Sequence, residues 1–210
     1  MRQSGDGAGS IGTTLGMLEF KLAGADDLAR ICPKQWDALS AAALDPNPFY
    51  SRRYVAAALS TIDRDTRLRA MTVNTADGLM VGFFPYRLSR FPVPVAIGAN
   101  NIYQMSGQPL IHRDYAEDVI ASWFEAMQSG LIPRRWRFPH VDLESGFAKL
   151  CGEHLQAAHF DLTPLTRYQR ARLRRLSGGF EVHVNTVLSK SRAKDIQRTL
   201  RRLQEAGKVR

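Results

Sequence analysis

Alternating apolar and polar residues predict the strands of this 210-residue chain. The predicted strands span residues 15–22, 68–74, 79–88, 136–143 and 160–165. Asp77-Gly78 separates the second strand from the third and favours a hairpin between them. Residues 91–108 are rich in Pro, Gly and Asn, which favours short strands and turns there.

Apolar residues at helical spacing predict the helices. These span residues 26–44 with an interruption at Pro33, about 51–59, 114–129, 146–158 and 181–206. Ser51 and Asp114 are expected N-caps, because a short side-chain oxygen can accept a hydrogen bond from the first helical turn. Asp45-Pro46-Asn47-Pro48 is a strong break between the first two helices. Strands, a hairpin and intervening helices together predict a mixed α/β or α+β domain.

The chain shows no signal for export or for a membrane span. Residues 1–16 are rich in Gly, Ser and Thr, lack the apolar region of a secretory signal and are expected to form a disordered leader. No apolar run approaches the roughly 20 residues that a transmembrane helix needs. Cys32 and Cys151 are too few for a disulfide scaffold, which favours a cytoplasmic location.

The formal net charge of +9 is concentrated at one end of the chain. Residues 167–210 hold 13 Lys or Arg against three acidic residues, whereas the first 166 residues hold 16 basic and 17 acidic residues. Such one-sided charge is typical of a segment that faces a polyanion, an acidic substrate or an acidic partner surface.

A helix over residues 181–206 would be amphipathic. Four cations fall within about 80° of one another on this helix, and they are Lys190, Lys194, Arg198 and Arg201. Ile196, Leu200 and Leu203 lie nearly opposite them. Two interpretations remain open: a solvated helix face, or a surface that contacts an anionic substrate or an acidic neighbouring domain.

Four short motifs resemble, in order, elements of the GNAT-related acetyltransferases linked to cellulose biosynthesis (the CelD type). The motifs are Asn47-Pro48-Phe49-Tyr50-Ser51, Val81-Gly82-Phe83-Phe84-Pro85-Tyr86, Gln108-Pro109-Leu110-Ile111, and Leu188-Ser189-Lys190-Ser191-Arg192 with Arg198, residues 200–203 and Gly207. The resemblance covers about residues 30–210, which is nearly the whole chain after the leader.

The resemblance implies a protein of two GNAT-like halves, of which this chain is the N-terminal one. It implies a leader at 1–16, a GNAT-like twisted sheet flanked by helices at 17–178, a long basic linker helix at 179–206 and the start of a second half at 207–210. The missing C-terminal half would be the principal partner and would hold acetyl-CoA or another acyl-CoA, the cosubstrate of the full-length family. We therefore expect this chain to bind no cofactor itself and to be an inactive, truncated fragment.

Other chemical signatures are weak. Residues 104–109 are the nearest match to an acyl-CoA pyrophosphate motif, but Pro109 stands where a small residue is needed. Cys151, Glu153 and His154 share a predicted helix, but His159 falls at or beyond its end, so we predict no metal site. No Gly-x-Ser-x-Gly and no acid–base pair identifies a catalytic residue.

Asn100, Asn101, Tyr103 and Gln104 lie between turn signals, where they either line a polar groove or cap loops. Asn101, Tyr103 and Gln104 join the four helix cations as candidate contacts to a small-molecule acceptor or an anion. The functional hypothesis is the acceptor-side half of an N-acyltransferase that acts on a sugar- or envelope-related acceptor. The alternative is a small basic nucleic-acid-binding module that uses residues 167–210, and a peripheral membrane role ranks third.

Overall fold

The structure is a computed structural model that describes residues 12–15, 17–64, 67–90, 92–169 and 177–207. The rest of the predicted leader, the last three residues and most of residues 168–176, whose basic sequence favours a strand or a loop, lie outside these ranges. The chain divides into two compact units between Thr163 and Pro164.

The strands and all but two of the helices belong to the first unit. The strands are β1 (Gly12–Leu15), β2 (Leu18–Gly24), β3 (Arg69–Thr75), β4 (Met80–Ser89), β5 (Val95–Gly98), β6 (Leu110–Ile111) and β7 (Trp136–Arg137). The helices are α1 (Ala25–Leu28), α2 (Pro33–Ala42), α3 (Arg52–Ser60), α4 (Ala116–Gln128) and α5 (Gly146–Leu155), followed in the second unit by α6 (Gly179–Val187) and α7 (Lys190–Ala206). Short 3-10 turns occur at Pro48–Tyr50 and Arg113–Tyr115.

The strands form one mixed sheet in the order β1-β2-β3-β4-β5-β7, and β6 also pairs with β4. Neighbouring strands are antiparallel except β5 and β7, which are parallel. A parallel pair needs a crossover connection, and α4 lies in the chain between these two strands. The predicted mixed α and β class, with a sheet flanked by helices and a helix at the C-terminal end, is confirmed.

Strand β4 is buried on both faces, so it contributes side chains to two hydrophobic cores. A β-bulge determines which core each side chain joins. Val73 pairs with Gly82 and Asn74 with Met80, so Val81 is the extra residue. Val81 packs with the core that includes α4 and α5, whereas Met80 packs with the core that includes α2 and α3. A Cβ on Gly82 would lie 2.9 Å from Val73 Cγ2, so glycine is required at this close approach.

Aromatic side chains fill both cores. On the α2 and α3 side, the Trp36 and Phe83 rings lie 4.5 Å apart, and Trp36 Nε1 donates a 2.9 Å hydrogen bond to the Tyr50 carbonyl oxygen. On the α4 and α5 side, Trp123 stacks on Phe84 with ring centroids 5.7 Å apart. Such pairs contribute about 0.5–1.5 kcal/mol each beyond their buried area.

The predictions for α3 and for the hairpin are confirmed. Ser51 caps α3, and its Oγ accepts a hydrogen bond from the Tyr54 N–H at 3.5 Å. Gly78 has φ +86° in the turn between β3 and β4, where glycine adopts the left-handed conformation without a Cβ clash.

Four element predictions were wrong. The strand expected over 15–22 is a hairpin, because the chain reverses between Leu15 and Leu18. The strand expected over 136–143 ends after Arg137, since Pro139 offers no N–H for pairing and His140 has φ +57°. Residues 160–165 form no strand, and 161–165 are exposed.

The fourth wrong prediction is the single long helix over 181–206. Two helices replace it, because Ser189 adopts an extended conformation and its Oγ caps α7 by accepting from the Arg192 N–H at 3.5 Å. The predicted cap of α4 at Asp114 was also wrong, because Tyr115 precedes α4 and its side chain makes no capping hydrogen bond. The ring Nδ1 of His112 accepts from the Asp114 N–H at 3.3 Å and caps a 3-10 turn that precedes α4.

Within the described ranges, no helix combines the length and the apolar character that crossing a bilayer would require.

Candidate functional site

A small depression lies where α3 meets the ends of β4 and β5 and the loop formed by residues 99–108. It is partly open to solvent and admits water-sized groups. Most of its wall is apolar and includes Val55, Ala58 and Leu59 of α3. Its polar lining residues are Tyr50, Tyr54, Asp63, Arg87 and Gln104. A recess with an apolar wall and a few polar groups is the arrangement expected of a small-molecule binding site.

Asn47 holds the loop 99–108 in place. Its side chain is 4% exposed, and its Nδ2 donates to the Gln108 carbonyl oxygen at 2.7 Å and to the Ser106 carbonyl oxygen at 3.4 Å. Its Oδ1 accepts from the Phe49 N–H at 3.1 Å, which forms the turn that leads to α3. One buried amide thus joins the turn before α3 to the loop that borders the depression.

Tyr50 and Gly107 also hold the loop 99–108 in position. The Tyr50 hydroxyl donates to the Ala99 carbonyl oxygen at 2.7 Å, and burial raises the pKa of this phenol so that it remains a donor. A Cβ on Gly107 would lie 2.0 Å from the Pro139 carbonyl oxygen, so only glycine permits this approach. The loop backbone is therefore positioned by contacts and is not a free surface segment.

A chain of polar contacts borders the depression. The Tyr54 hydroxyl donates to Asn101 Oδ1 at 3.1 Å, and Asn101 Nδ2 donates to Asp63 Oδ2 at 2.9 Å. Arg87 pairs with Asp63 across 3.7 Å and donates to the Asn100 carbonyl oxygen. Since the Arg87 side chain is 41% exposed, this ion pair contributes no more than about 1 kcal/mol to stability. Because Asp63 and Arg87 carry opposite charges, the residues that line the depression have no net charge.

Gln104 is the least satisfied polar residue of the site. It is 5% exposed, and its Nε2 makes only a long contact of 3.5 Å with the Phe49 carbonyl oxygen. Its Oε1 is buried and has no hydrogen-bond partner among the described residues, as is also true of Asn100 Oδ1. A buried acceptor left in this state costs about 1–3 kcal/mol.

The structure places the candidate loop residues predicted from the sequence at different distances from the depression. Gln104 lines the depression, and Asn101 lies in the polar chain beside it. Tyr103 is 58% exposed, and its N–H donates to Asn101 Oδ1 at 3.0 Å. Tyr54, Asp63 and Arg87 also line the depression but were not predicted, because they come from separate segments and carry no local signal of a shared site.

The four predicted cations lie in the second unit. Lys190, Lys194, Arg198 and Arg201 are all exposed on α7. Arg198 pairs with Asp195 one turn earlier at 3.1 Å. Exposed apolar side chains also occur in the same unit, and they include Leu165, Tyr168, Phe180, Val182, Val187, Ile196 and Leu203.

The residues considered for a metal do not converge. In the described part of the chain, no three His, Cys, Asp or Glu side chains are grouped as a metal ion requires. Cys151 is buried in the core, and burial raises the pKa of its thiol to about 12. The His154 ring instead contacts the Leu150 carbonyl oxygen at 3.0 Å and Glu117 at 3.6 Å.

No family model matches this sequence, and no curated protein is significantly similar to it.

Proposed function

We propose that this chain is the acceptor-side half of a GNAT-type N-acyltransferase. A second GNAT-like half would hold acyl-CoA, and the acceptor would be a sugar- or envelope-related molecule. The observation that carries the proposal is that three of the four resembling motifs contact one another and that two of them, through Tyr50 and Pro85, line the depression.

Direct contacts join these three motifs. Asn47 of the first motif donates to the carbonyl oxygen of Gln108, which begins the third. Leu110 of the third motif pairs with Phe83 of the second in the sheet. The Phe83 ring in turn packs edge-on against Tyr50 of the first motif, with centroids 6.4 Å apart. Motifs that are distant in sequence therefore build one local structure, as residues that shape a common site would.

Two further observations support the proposal. A mostly antiparallel sheet flanked by helices is the fold that the resemblance implies. The second unit exposes large apolar side chains, among them Phe180 at 55% and Leu203 at 53%. Cover by a second half would remove such side chains from water, which is favourable.

The chemistry of the proposed reaction assigns this half a positioning role. An amine or hydroxyl of the acceptor forms a bond to the thioester carbonyl carbon, the carbon–sulfur bond breaks, and the acceptor loses a proton as the CoA thiol leaves. Holding the acceptor against a bound thioester removes most of the entropic barrier to such a step. The loop 99–108 and α3, fixed by Asn47 and Tyr50, are suited to that task.

The test compares the 210-residue chain with the natural full-length gene product. Thiol release from acetyl-CoA is measured with amino sugars and other sugars as acceptors, and acetyl-CoA binding is followed by calorimetry. We expect acceptor-dependent thiol release from the full-length product and none from the 210 residues alone. Turnover by the isolated chain, or a full-length product without acyl transfer, would overturn the proposal.

The exposed cations of α7 favour a second candidate function, binding of nucleic acid. Its signature is an affinity that falls steeply with salt and does not depend on sequence. The decisive variant replaces Lys190, Lys194, Arg198 and Arg201 with Gln. Its matched control replaces four exposed cations of the first unit, namely Lys34, Arg53, Arg64 and Arg135. Equal affinity losses in the two variants, or no binding at low salt, would remove this candidate.

A further inference from the structure

A row of three side chains crosses the sheet beside the depression. Arg87 of β4 pairs with Ile97 of β5, and Ile97 pairs with Arg137 of β7. Paired residues on neighbouring strands point to the same side of a sheet, so these three side chains share one face. Since neighbouring strands lie about 4.8 Å apart, the Cα atoms of Arg87 and Arg137 are separated by about 10 Å. The row begins at the depression, because Arg87 lines it.

Arg135 belongs to the same face. It stands two residues before Arg137, and side chains two residues apart on a strand point to the same side. The pairing with β5 reaches this residue, because its carbonyl oxygen accepts a 2.8 Å hydrogen bond from the Ala96 N–H. Val95 and Ile97 are half-buried on this face. The face thus combines arginines with an aliphatic surface.

Arg134 lies on the opposite face of the sheet. Its guanidinium carbon is 5.5 Å from the centroid of the Phe160 ring, which packs against the core that includes α4 and α5. Arg87 instead lines the depression together with Val55 and Leu68 of the other core. Neighbouring arginines of one short segment are therefore directed to different sides.

Arg135 and Arg137 carry positive charge that no described residue neutralises. Both are exposed, and neither side chain has a hydrogen-bond or ion-pair partner among the described residues. Residues 92–100 and 134–141 contain no Asp or Glu. Arg87, by contrast, is paired with Asp63. The unneutralised charge of this face is therefore that of two guanidinium groups.

A phosphate monoester matches this charge. It carries about −1.5 to −2 at pH 7, and the planar guanidinium group donates two parallel hydrogen bonds to phosphate oxygens. No aromatic side chain is exposed in the described parts of residues 87–98 and 134–138, so the face lacks the stacking platform that single-stranded nucleic acid uses. Two arginines also supply few of the phosphate contacts that hold a duplex. The face therefore favours a small phosphorylated ligand.

We propose that Arg135 and Arg137 bind the phosphate group of a small phosphorylated ligand, the rest of which lies over Ile97 towards the depression. Under the proposed function this ligand is the acceptor, which is then a phosphorylated sugar. That assignment to the acceptor rests on the proposed function, whereas the phosphate site itself does not.

The experiment titrates three probes of similar shape into the 210-residue chain at constant ionic strength. Glucose 6-phosphate is a dianion, glucose 6-sulfate is a monoanion and glucose is neutral. Nitrogen–proton NMR follows the backbone amides of β5 and β7 and the arginine Nε–H groups. Duplex DNA of mixed sequence is titrated in parallel.

We expect saturable shifts at β5 and β7 with glucose 6-phosphate, binding of glucose 6-sulfate that is about fivefold weaker, and no shifts with glucose. Arg137→Gln should raise the Kd of glucose 6-phosphate by about tenfold, and Arg135→Gln should act in the same direction. Arg134→Gln is the matched control, because it removes the same charge from the opposite face, and it should leave the Kd unchanged. All three positions are exposed, and surface substitutions usually change stability little.

Three outcomes would overturn the inference. The first is the absence of saturable shifts with glucose 6-phosphate, which would leave the arginines only the role of preventing β7, an edge strand, from pairing with other sheets. The second is an equal loss of affinity in Arg134→Gln and Arg137→Gln, which would indicate non-specific attraction. The third is tighter binding of the DNA duplex with shifts at the same amides, which would assign the face to nucleic acid.

The outcome can be separated from that of the proposed function. In the full-length product, Arg137→Gln should raise the KM for glucosamine 6-phosphate by about tenfold and leave kcat and the KM for glucosamine unchanged. A phosphate site in a protein without acyl transfer would refute the function and leave the site standing. Acyl transfer with the same KM in the variant would refute the assignment of this site to the acceptor.

Discussion

The side-chain amide of Asn47 donates a 2.7 Å hydrogen bond to the backbone carbonyl oxygen of Gln108, 61 residues later in the chain. The same side chain accepts from the Phe49 N–H at 3.1 Å. Asn47 therefore connects the turn before α3 to the loop that borders the depression, and both sides of the candidate site depend on it.

Asn47→Ala should destabilise the protein by about 1–3 kcal/mol, because it leaves the Gln108 and Ser106 carbonyl oxygens and the Phe49 N–H without their partner. Urea denaturation followed by circular dichroism gives the free energy of unfolding. Asn185→Ala, at an exposed position of α6, is the control and should change stability by less than about 0.5 kcal/mol. Equal effects of the two substitutions would contradict the assigned role of Asn47.

A pair of glycine substitutions should shift stability in opposite directions. Gly107→Ala brings a Cβ within 2.0 Å of the Pro139 carbonyl oxygen and should cost about 1–3 kcal/mol or more, since the backbone must move. Gly152 lies inside α5 with nothing within 4 Å of a built Cβ, so Gly152→Ala should stabilise by about 0.5–1 kcal/mol. Thermal melts of both variants check the two signs, and a tolerated Gly107→Ala would mean that the loop is not held as described.

Stability should fall at high pH because of Cys151. Burial raises the pKa of this thiol from 9.0 to about 12, so between these values the folded state retains a proton that the unfolded state has lost. The contribution is fully present below about pH 9 and is lost as the pH rises towards 12, with a slope of at most about 1.4 kcal/mol per pH unit.

Urea titrations at pH 8, 9 and 10 measure this slope. Cys151→Ala should be less stable than the wild type at pH 8, by about 1 kcal/mol for the lost packing, and should show a smaller decline as the pH rises. Tyr50 contributes a decline of the same sign only from about pH 10, the ordinary value of a phenol. Parallel pH curves for wild type and variant would refute the assignment to Cys151.

The two thiols should differ in reactivity. Cys32 is exposed, and the N–H groups of Gln35 and Lys34 at the start of α2 lower its pKa, which increases its thiolate fraction. Cys151 is buried and protonated. Iodoacetamide at neutral pH should add once to the native protein, at Cys32, and twice in urea, as mass spectrometry would show. In Cys32→Ser, labelling before unfolding would contradict this difference.

Local residue chemistry made much of the first unit predictable. Asp77-Gly78 specifies a tight turn, and Ser51 supplies a cap whose hydrogen bond is formed within its own helical turn. Such signals act over three or four residues and do not depend on the rest of the fold. The same local chemistry was misread at Ser189, where the apolar spacing suggested one continuous helix but the serine caps a new one.

Other predictions failed because two signals of similar strength competed. The apolar residues of 136–143 suggest a strand, yet Pro139 and the positive φ of His140 end the pairing after Arg137. Pairing also depends on the neighbour, and β7 meets only Ala96 and Ile97 of β5. Strand length was thus decided by contacts that no single window of sequence contains.

The sequence by itself determined the strands, turns and caps whose partners are neighbours in the chain, and it drew attention to Asn101 and Gln104 as polar residues in a turn-rich loop. Only the tertiary structure decided that the Asp45 carboxylate accepts the N–H groups of Gly146 and Phe147, 101 and 102 residues away. It alone brought Asp63 and Arg87 into the lining that Gln104 shares. The physical reason is the range of the interactions: a cap or turn is stabilised within one helical turn, whereas a site assembled from distant segments exists only after the sheet and its two cores have packed.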